Sequence, residues 1–156
     1  MGREKAKKHD MPAGGALLLP LTMIRHPNWL RMSRDARALI VDLGSQYTGY
    51  NNGFLCCSMS LMKKRGWASS HTLRYAMLEA EYFGFLIRTQ QGSRDHKPNL
   101  HALSWRRIDA KPGRELEVRP TLRAPDTWQQ EKPAFVRPKA MKRAKREPPK
   151  AGKPVG

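Results

Sequence analysis

From Ser33 onward apolar residues fall at Ala36, Leu39, Ile40, Leu43 and Tyr47, the three-and-four spacing that turns one face of a helix toward a core. Ser33 precedes them as an N-cap, and Asp35 lies in the first turn, where the helix dipole favours an acid. Gly49, Asn51, Asn52 and Gly53 end the stretch. A second helical pattern starts from a cap at Ser69 or Ser70, runs through Leu73, Ala76, Met77, Ala80 and Phe83, and closes at Gly84. Between the two, Phe54 to Cys57 reads as extended and Ser58 as a cap. Leu61 and Met62 form the apolar side of a short helix ending in Lys63, Lys64 and Arg65. Gly66 is suited to the left-handed position after that helix, and Trp67 is expected to fold back into the core and fix the turn.

Shorter apolar runs predict extended chain. Phe85 to Arg88 and Leu100 to Trp105 read as paired strands joined by Gln90 to Asn99, a polar, cationic and mobile loop containing Gly92, Arg94, His96, Lys97 and Pro98. Ala16 to Leu19 suggests a short strand closed by Pro20, and Pro27 to Leu30 a single helical turn with proline at its start. Alternation over Arg114 to Arg119 suggests one further edge strand before prolines 120, 125, 133 and 138 break the pattern. The expected fold class is α+β: a winged helix-turn-helix with a three-helix core and a β-hairpin wing, plus disordered basic tails. Residues 1–15 are expected as a disordered basic arm, 16–110 as the winged helix domain, 111–136 as an extended segment and 137–156 as a disordered basic tail.

Charge changes the picture most. The 156 residues carry a formal net charge of +17. Residues 1–9 hold four Lys/Arg against one Glu, and residues 137–156 hold eight against one, leaving +7 on residues 10–136. With both tails set aside the remainder is still basic, so a polyanion leads the candidate partners: double-stranded DNA first, with RNA as the alternative. A second copy of the chain and replication proteins are further candidates. Cys56 and Cys57 are adjacent and point to opposite sides of an extended segment, which makes them a poor disulfide and a poor metal pair. Reduced thiols fit a cytoplasmic, nucleoid-associated protein. The apolar runs are too short to span a bilayer, no secretory leader is expected, and neither is a membrane partner.

The helix from Ser70 is the candidate DNA reader, since a major groove is wide enough for one α-helix. Turning Leu73 and Met77 inward puts His71, Arg74, Tyr75 and Leu78 outward. Arg74 suits a bidentate contact to guanine, while Ser69, Ser70 and the free N–H groups of the first turn suit a phosphate. Lys63, Lys64 and Arg65 at the preceding turn can grip the backbone, and Arg88, Arg94, His96 and Lys97 belong to the wing side. Lys139, Lys142, Arg143, Lys145 and Arg146 add auxiliary phosphate contacts from the tail. Against a DNA-facing surface stand Leu78, Glu79 and Glu81; a plain amphipathic helix would carry such a mixture. Leu78 beside Tyr75 would equally suit a protein-docking patch.

Five segments together resemble a known family: Tyr50-Asn51-Asn52-Gly53, Gly66-Trp67-Ala68-Ser69, Thr72-Leu73-Arg74-Tyr75-Ala76, Gly84-Phe85-Leu86-Ile87 and Leu100-His101-Ala102-Leu103-Ser104-Trp105. They look like small winged helix-turn-helix DNA-binding proteins of bacterial mobile elements, phages and plasmids, often labelled replication or regulatory proteins. The resemblance covers roughly residues 16 to 110. It implies Ser70 to Phe83 as recognition helix, Gln90 to Asn99 as wing, and a role in replication or transcription control.

Catalysis finds no support in the pattern. Asp35 and Asp42 lie two turns apart on one helix, and Glu115 with Glu117 falls on a surface stretch, so neither makes a nuclease-like carboxylate set. His71, His96 and His101 sit on three different elements without partners at ligand spacing. No metal, cofactor or catalytic residue is expected.

Overall fold

In the computed structural model, which describes residues 12–139, the chain is α+β, with five helices and one three-stranded antiparallel sheet. The order is α1 (Leu21–Ile24), α2 (Pro27–Arg31), α3 (Arg34–Gly44), β1 (Leu55–Cys56), α4 (Met59–Lys63), α5 (Ser70–Tyr82), β2 (Leu86–Gln90) and β3 (Leu100–Leu103), followed by a 3-10 turn at Thr127–Gln129. Strands lie in the order β1-β3-β2, so the central strand is the last in sequence.

The caps explain the two long helices. Ser33 Oγ accepts from the Ala36 N–H at 3.2 Å, and Ser69 Oγ from the Thr72 N–H at 3.2 Å, each relieving a donor with no intrahelical partner. Ser58 stands at the start of α4 without making a side-chain cap; its hydroxyl meets Ser60 instead. Gly66 takes φ +95 between α4 and α5, the left-handed conformation expected of it. Trp67 packs against the core half-buried, and its Nε1–H donates to Asp42 Oδ2 at 2.8 Å, which pins the turn onto α3.

Ala36, Leu39, Ile40 and Leu43 of α3 meet Leu73, Ala76 and Ala80 of α5, and the sheet closes the core through Leu55, Leu86 and Leu103. Residues outside the two long helical patterns also enter it. Met23 of α1 is fully buried, and Trp29 of α2 meets Phe85 edge-on with ring centroids 5.3 Å apart.

Two sequence expectations are corrected. Ala16 to Leu19 forms no strand: it is unpaired extended chain whose Leu18 carbonyl accepts from Trp105 Nε1, while Leu17 and Leu19 pack on the core. Arg114 to Arg119 forms no edge strand either. It touches the free side of β2 through one backbone bond, Glu117 N–H to the Thr89 carbonyl at 2.9 Å, and the Gln91 N–H is taken by the Glu117 side chain at 3.1 Å where a ladder would offer a carbonyl.

Residues 124–139 do not trail off but return as a strap. Trp128 is buried, and Asn28 of α2, itself fully buried, donates to the carbonyls of Trp128 (2.9 Å) and Gln130 (2.7 Å) while accepting from the Lys132 N–H (2.9 Å). The strap then runs antiparallel to α5: Tyr82 Oη donates to the Pro133 carbonyl, Phe135 leans on Tyr82, and Tyr75 Oη donates to the Pro138 carbonyl at 3.2 Å.

Candidate nucleic-acid interface

Helix α5 lies between two flanks, the β2–β3 hairpin on one side and the strap on the other. Between them its exposed stripe is Ser70, His71 and Arg74, with Leu78 half-buried. Of the predicted outward set, Tyr75 is therefore a correction. It is only 8% exposed, bonded to Pro138 and covered by the Arg137 guanidinium 4.9 Å from its ring centroid. Local periodicity turns it outward; a segment 63 residues later covers it. His71 stacks edge-on against that ring at 4.6 Å, and its own side remains exposed.

The two acids of α5 face inward bonds. Glu79 is 8% exposed and accepts from the Ser33 N–H at 2.7 Å and the Ser33 hydroxyl at 2.6 Å, tying α5 to the start of α3. Glu81 accepts from Arg88 Nε (2.8 Å) and a second guanidinium nitrogen (3.0 Å) on β2, and from His101 Nε2 (2.7 Å) on β3. Burial opposes charge on Glu81, but the hydrogen bonds and charges of His101 and Arg88 outweigh it and hold the carboxyl below its ordinary value. Of the acids that stood against a DNA-facing helix, Glu81 is thus paired with Arg88, and Glu79 is turned away from the exposed stripe onto Ser33.

Arg88, expected on the wing side, is half-buried and bound into the fold. Its Nε and one terminal nitrogen bind Glu81, and the other terminal nitrogen donates to Gln91 Oε1 at 2.6 Å, so three of its five N–H donors are engaged within the protein. It positions the hairpin against α5.

The remaining predicted cations point outward. Lys63 and Lys64 are exposed at the end of α4; Arg65 is exposed too but shares Asp42 at 3.1 Å. Ser69 and Ser70 are exposed at the start of α5. Arg94, His96 and Lys97 are exposed at the hairpin tip together with Asp95. The tip is more structured than its composition suggests: Gly92 N–H donates to Asn99 Oδ1, Ser93 N–H to the Lys97 carbonyl, and His96 adopts φ 63. Lys139 is exposed one residue beyond the Tyr75–Pro138 bond; Lys142, Arg143, Lys145 and Arg146 lie outside the described residues.

A groove of about 330 Å³ runs between α5 and the hairpin base. Its floor is Cys57, Met59, Leu73, Met77 and Leu78; its rim is Ser70, Arg74, Arg88, Gln91 and Asn99. Burial, with Cys56 and Glu81 nearby, pushes the Cys57 thiol up to about 12, so the floor carries a neutral thiol. A larger concavity of about 540 Å³ lies elsewhere, beside the turn where Lys111 and Arg114 cover the Phe54 ring; its Asp109, Glu115 and Glu117 offset Lys111, Arg114 and Arg119. Among the described residues no cluster of His, Cys, Asp or Glu is placed to hold a metal ion, and no helix is long and apolar enough to cross a membrane.

Comparison of the chain with known protein families, with curated proteins and with solved structures finds no match.

Proposed function

We propose that the chain is a winged helix protein that binds double-stranded DNA, with α4 and α5 as the helix-turn-helix, α5 as the recognition helix and the β2–β3 hairpin as the wing. The observation that carries this is the charge on the exposed stripe. Glu81 is paired with Arg88 and His101 and Glu79 is buried on Ser33, while Lys63, Lys64, Arg74, Arg94 and Lys97 stand exposed on α4 and its end, on α5 and at the hairpin tip. Such a set neutralises phosphates and releases their counterions, which supplies affinity with little dependence on sequence. Arg74 is the residue of that stripe built for a bidentate contact to guanine. The family resemblance assigns the binding to replication or transcription control of a bacterial mobile element.

Leu78 does not favour a protein-docking patch instead, since it is half-buried and lines the groove. Fluorescence anisotropy of a labelled random-sequence duplex, titrated with the full chain at stepped salt, tests the proposal. Log affinity should fall linearly with log salt, with a slope of roughly −3 to −6 at about 0.9 per phosphate neutralised. A slope near zero, or no binding at low salt, overturns it.

A further inference from the structure

Tyr50 lies outside the interface on α5, and its ring is 79% exposed, the one exposed aromatic among the described residues. Its surroundings are cationic. From Arg106 to Arg123 six Lys/Arg stand against three acids, an excess of three. Asn52, fully buried, fixes this segment to the loop that carries Tyr50: its amide nitrogen donates to the carbonyls of Arg106 (3.2 Å) and Arg107 (2.8 Å), and its N–H to Asp109 Oδ2 (2.9 Å). One side chain therefore holds the ring and the first two cations in a fixed relation.

Two concavities lie side by side here. Tyr50 and Arg107 line the smaller, about 290 Å³, and Phe54, Lys111, Arg114 and Arg119 the larger, about 540 Å³; Asp109, Ala110 and Pro120 belong to both. In the larger one acids and cations match in number but not in place. Asp109 is bonded to the Asn52 N–H and to Arg107, and Glu117 to the Gln91 N–H, whereas the Lys111 and Arg114 head groups lie 4.8 and 5.3 Å from the centre of the Phe54 ring. Among the described residues none of Lys111, Arg114 and Arg119 makes an ion pair. Two cations gathered at one ring repel each other, and an anion beside them relieves that repulsion. Arg107 is 62% exposed and 3.4 Å from Asp109, a surface pair of the kind that contributes little and yields to a phosphate.

Shape and ring select the ligand. A duplex keeps its base faces stacked inside and shows only edges in its grooves, so it cannot cover an exposed ring; a single strand offers base faces together with a phosphate at every nucleotide. A concavity of about 540 Å³ falls among sites for small ligands, so it takes a nucleotide-sized group and not the width of a duplex.

We propose that the surface from Tyr50 to Arg119 binds single-stranded nucleic acid, with one base stacked on Tyr50 and neighbouring phosphates on Arg107, Lys111, Arg114 and Arg119. It shares no residue with the duplex-binding face of α5 and goes beyond the function proposed above.

The test titrates the full chain into labelled oligo(dT), oligo(U) and a random-sequence duplex, each about 12 nucleotides long, within the site sizes of single-strand binders, and reads anisotropy. Tyr50→Ala should weaken binding of a single strand about fivefold or more, the loss for one stacked base, and leave the duplex within about twofold, while Tyr50→Phe keeps the parent affinity for both. Arg114→Gln combined with Arg119→Gln should make the salt slope for the single strand shallower, by about 0.7 for each phosphate released, with the duplex slope unchanged. Loss on both oligo(dT) and oligo(U) upholds the site for either sugar; loss on one alone upholds it for DNA or for RNA. Tyr50→Ala without effect on either strand, equal loss on strand and duplex, or Tyr50→Phe binding as weakly as Tyr50→Ala overturns the site. A chain that binds strands in this Tyr50-dependent way and binds no duplex upholds the site and overturns the function proposed above instead, so the two failures are distinguishable.

Discussion

Glu81 on α5 and His101 on β3 stand 2.7 Å apart, Oε1 to Nε2, across the junction of helix and sheet. The same carboxylate grips Arg88 on β2, so one side chain joins the candidate recognition helix to both strands of the hairpin. Replacing Glu81 by Gln should cost about 1–3 kcal/mol of folding stability, the range for removing a partner from a charged, largely buried network. The folded-state carboxyl is held below its ordinary value of 4.5, so its contribution is complete above that value and is lost as pH falls through the folded-state value. Urea denaturation at stepped pH should therefore show the gap between parent and Glu81→Gln widest at neutral pH and closing below about 4.5. A gap independent of pH counts against the network.

Arg74 and Arg88 should separate binding from architecture. Arg74→Ala should leave stability within about 0.5 kcal/mol, as surface changes do, and weaken binding to a preferred duplex by about 1–3 kcal/mol. Arg88→Ala should instead lower stability, by leaving Glu81 short of its fork, and should leave the salt slope of binding unchanged. Anisotropy and thermal melts on both variants check the contrast; identical behaviour of the two arginines would contradict it.

Asn28 is the clasp of the strap. With its amide gone, the carbonyls of Trp128 and Gln130 and the Lys132 N–H lose their buried partner. Asn28→Ala should cost about 2–4 kcal/mol, several buried groups each costing about 1–3 with partial relaxation, and should make the strap cleavable under limited proteolysis. Cleavage at the parent rate would mean that Trp128 alone holds it.

Gly84 cannot carry a side chain. It takes φ +80, and a Cβ there would sit 2.5 Å from the Thr127 carbonyl oxygen and 2.6 Å from its carbon. Gly84→Ala should destabilise by more than about 1 kcal/mol through strain and displacement of backbone that has no flexible end to yield. Chemical denaturation reads the loss directly.

Truncation after Lys139 removes six Lys/Arg and one Glu while leaving the bond from Tyr75 to Pro138. Binding should weaken to a similar degree on all duplex sequences, and the slope of log affinity against log salt should become shallower, by about 0.9 for each phosphate no longer neutralised. An unaltered slope would assign the tail no electrostatic part.

What the sequence made legible was local. Ser33, Ser69 and Gly66 act where their residue types predict, because caps and left-handed positions are decided within a few residues. The inward stripe of α5 also follows from its own spacing. What escaped depended on distant partners. Nothing within α5 announces that the strap covers Tyr75, that Glu79 reaches back 46 residues to Ser33, or that Arg88 and His101 converge on Glu81. Nor does β1, two residues long, reveal that it pairs with β3 across the chain. Asn28 in its short helical turn and Asn52 in its loop look like ordinary surface asparagines. Both are fully buried, and Asn52 clamps Leu103 through its N–H (2.7 Å) and its carbonyl (2.9 Å).

Tyr75 moors Pro138 beside the N-terminal half of α5. Whatever is joined directly at Lys139, whether a fluorophore, a crosslinker or a protein fused after truncation there, therefore starts at the doorstep of the exposed stripe. A photoreactive group placed there should report first on the strand nearest Arg74, and a bulky fusion at that end should obstruct the helix more than any label on the exposed Leu122, which belongs to the loop stretch before the strap.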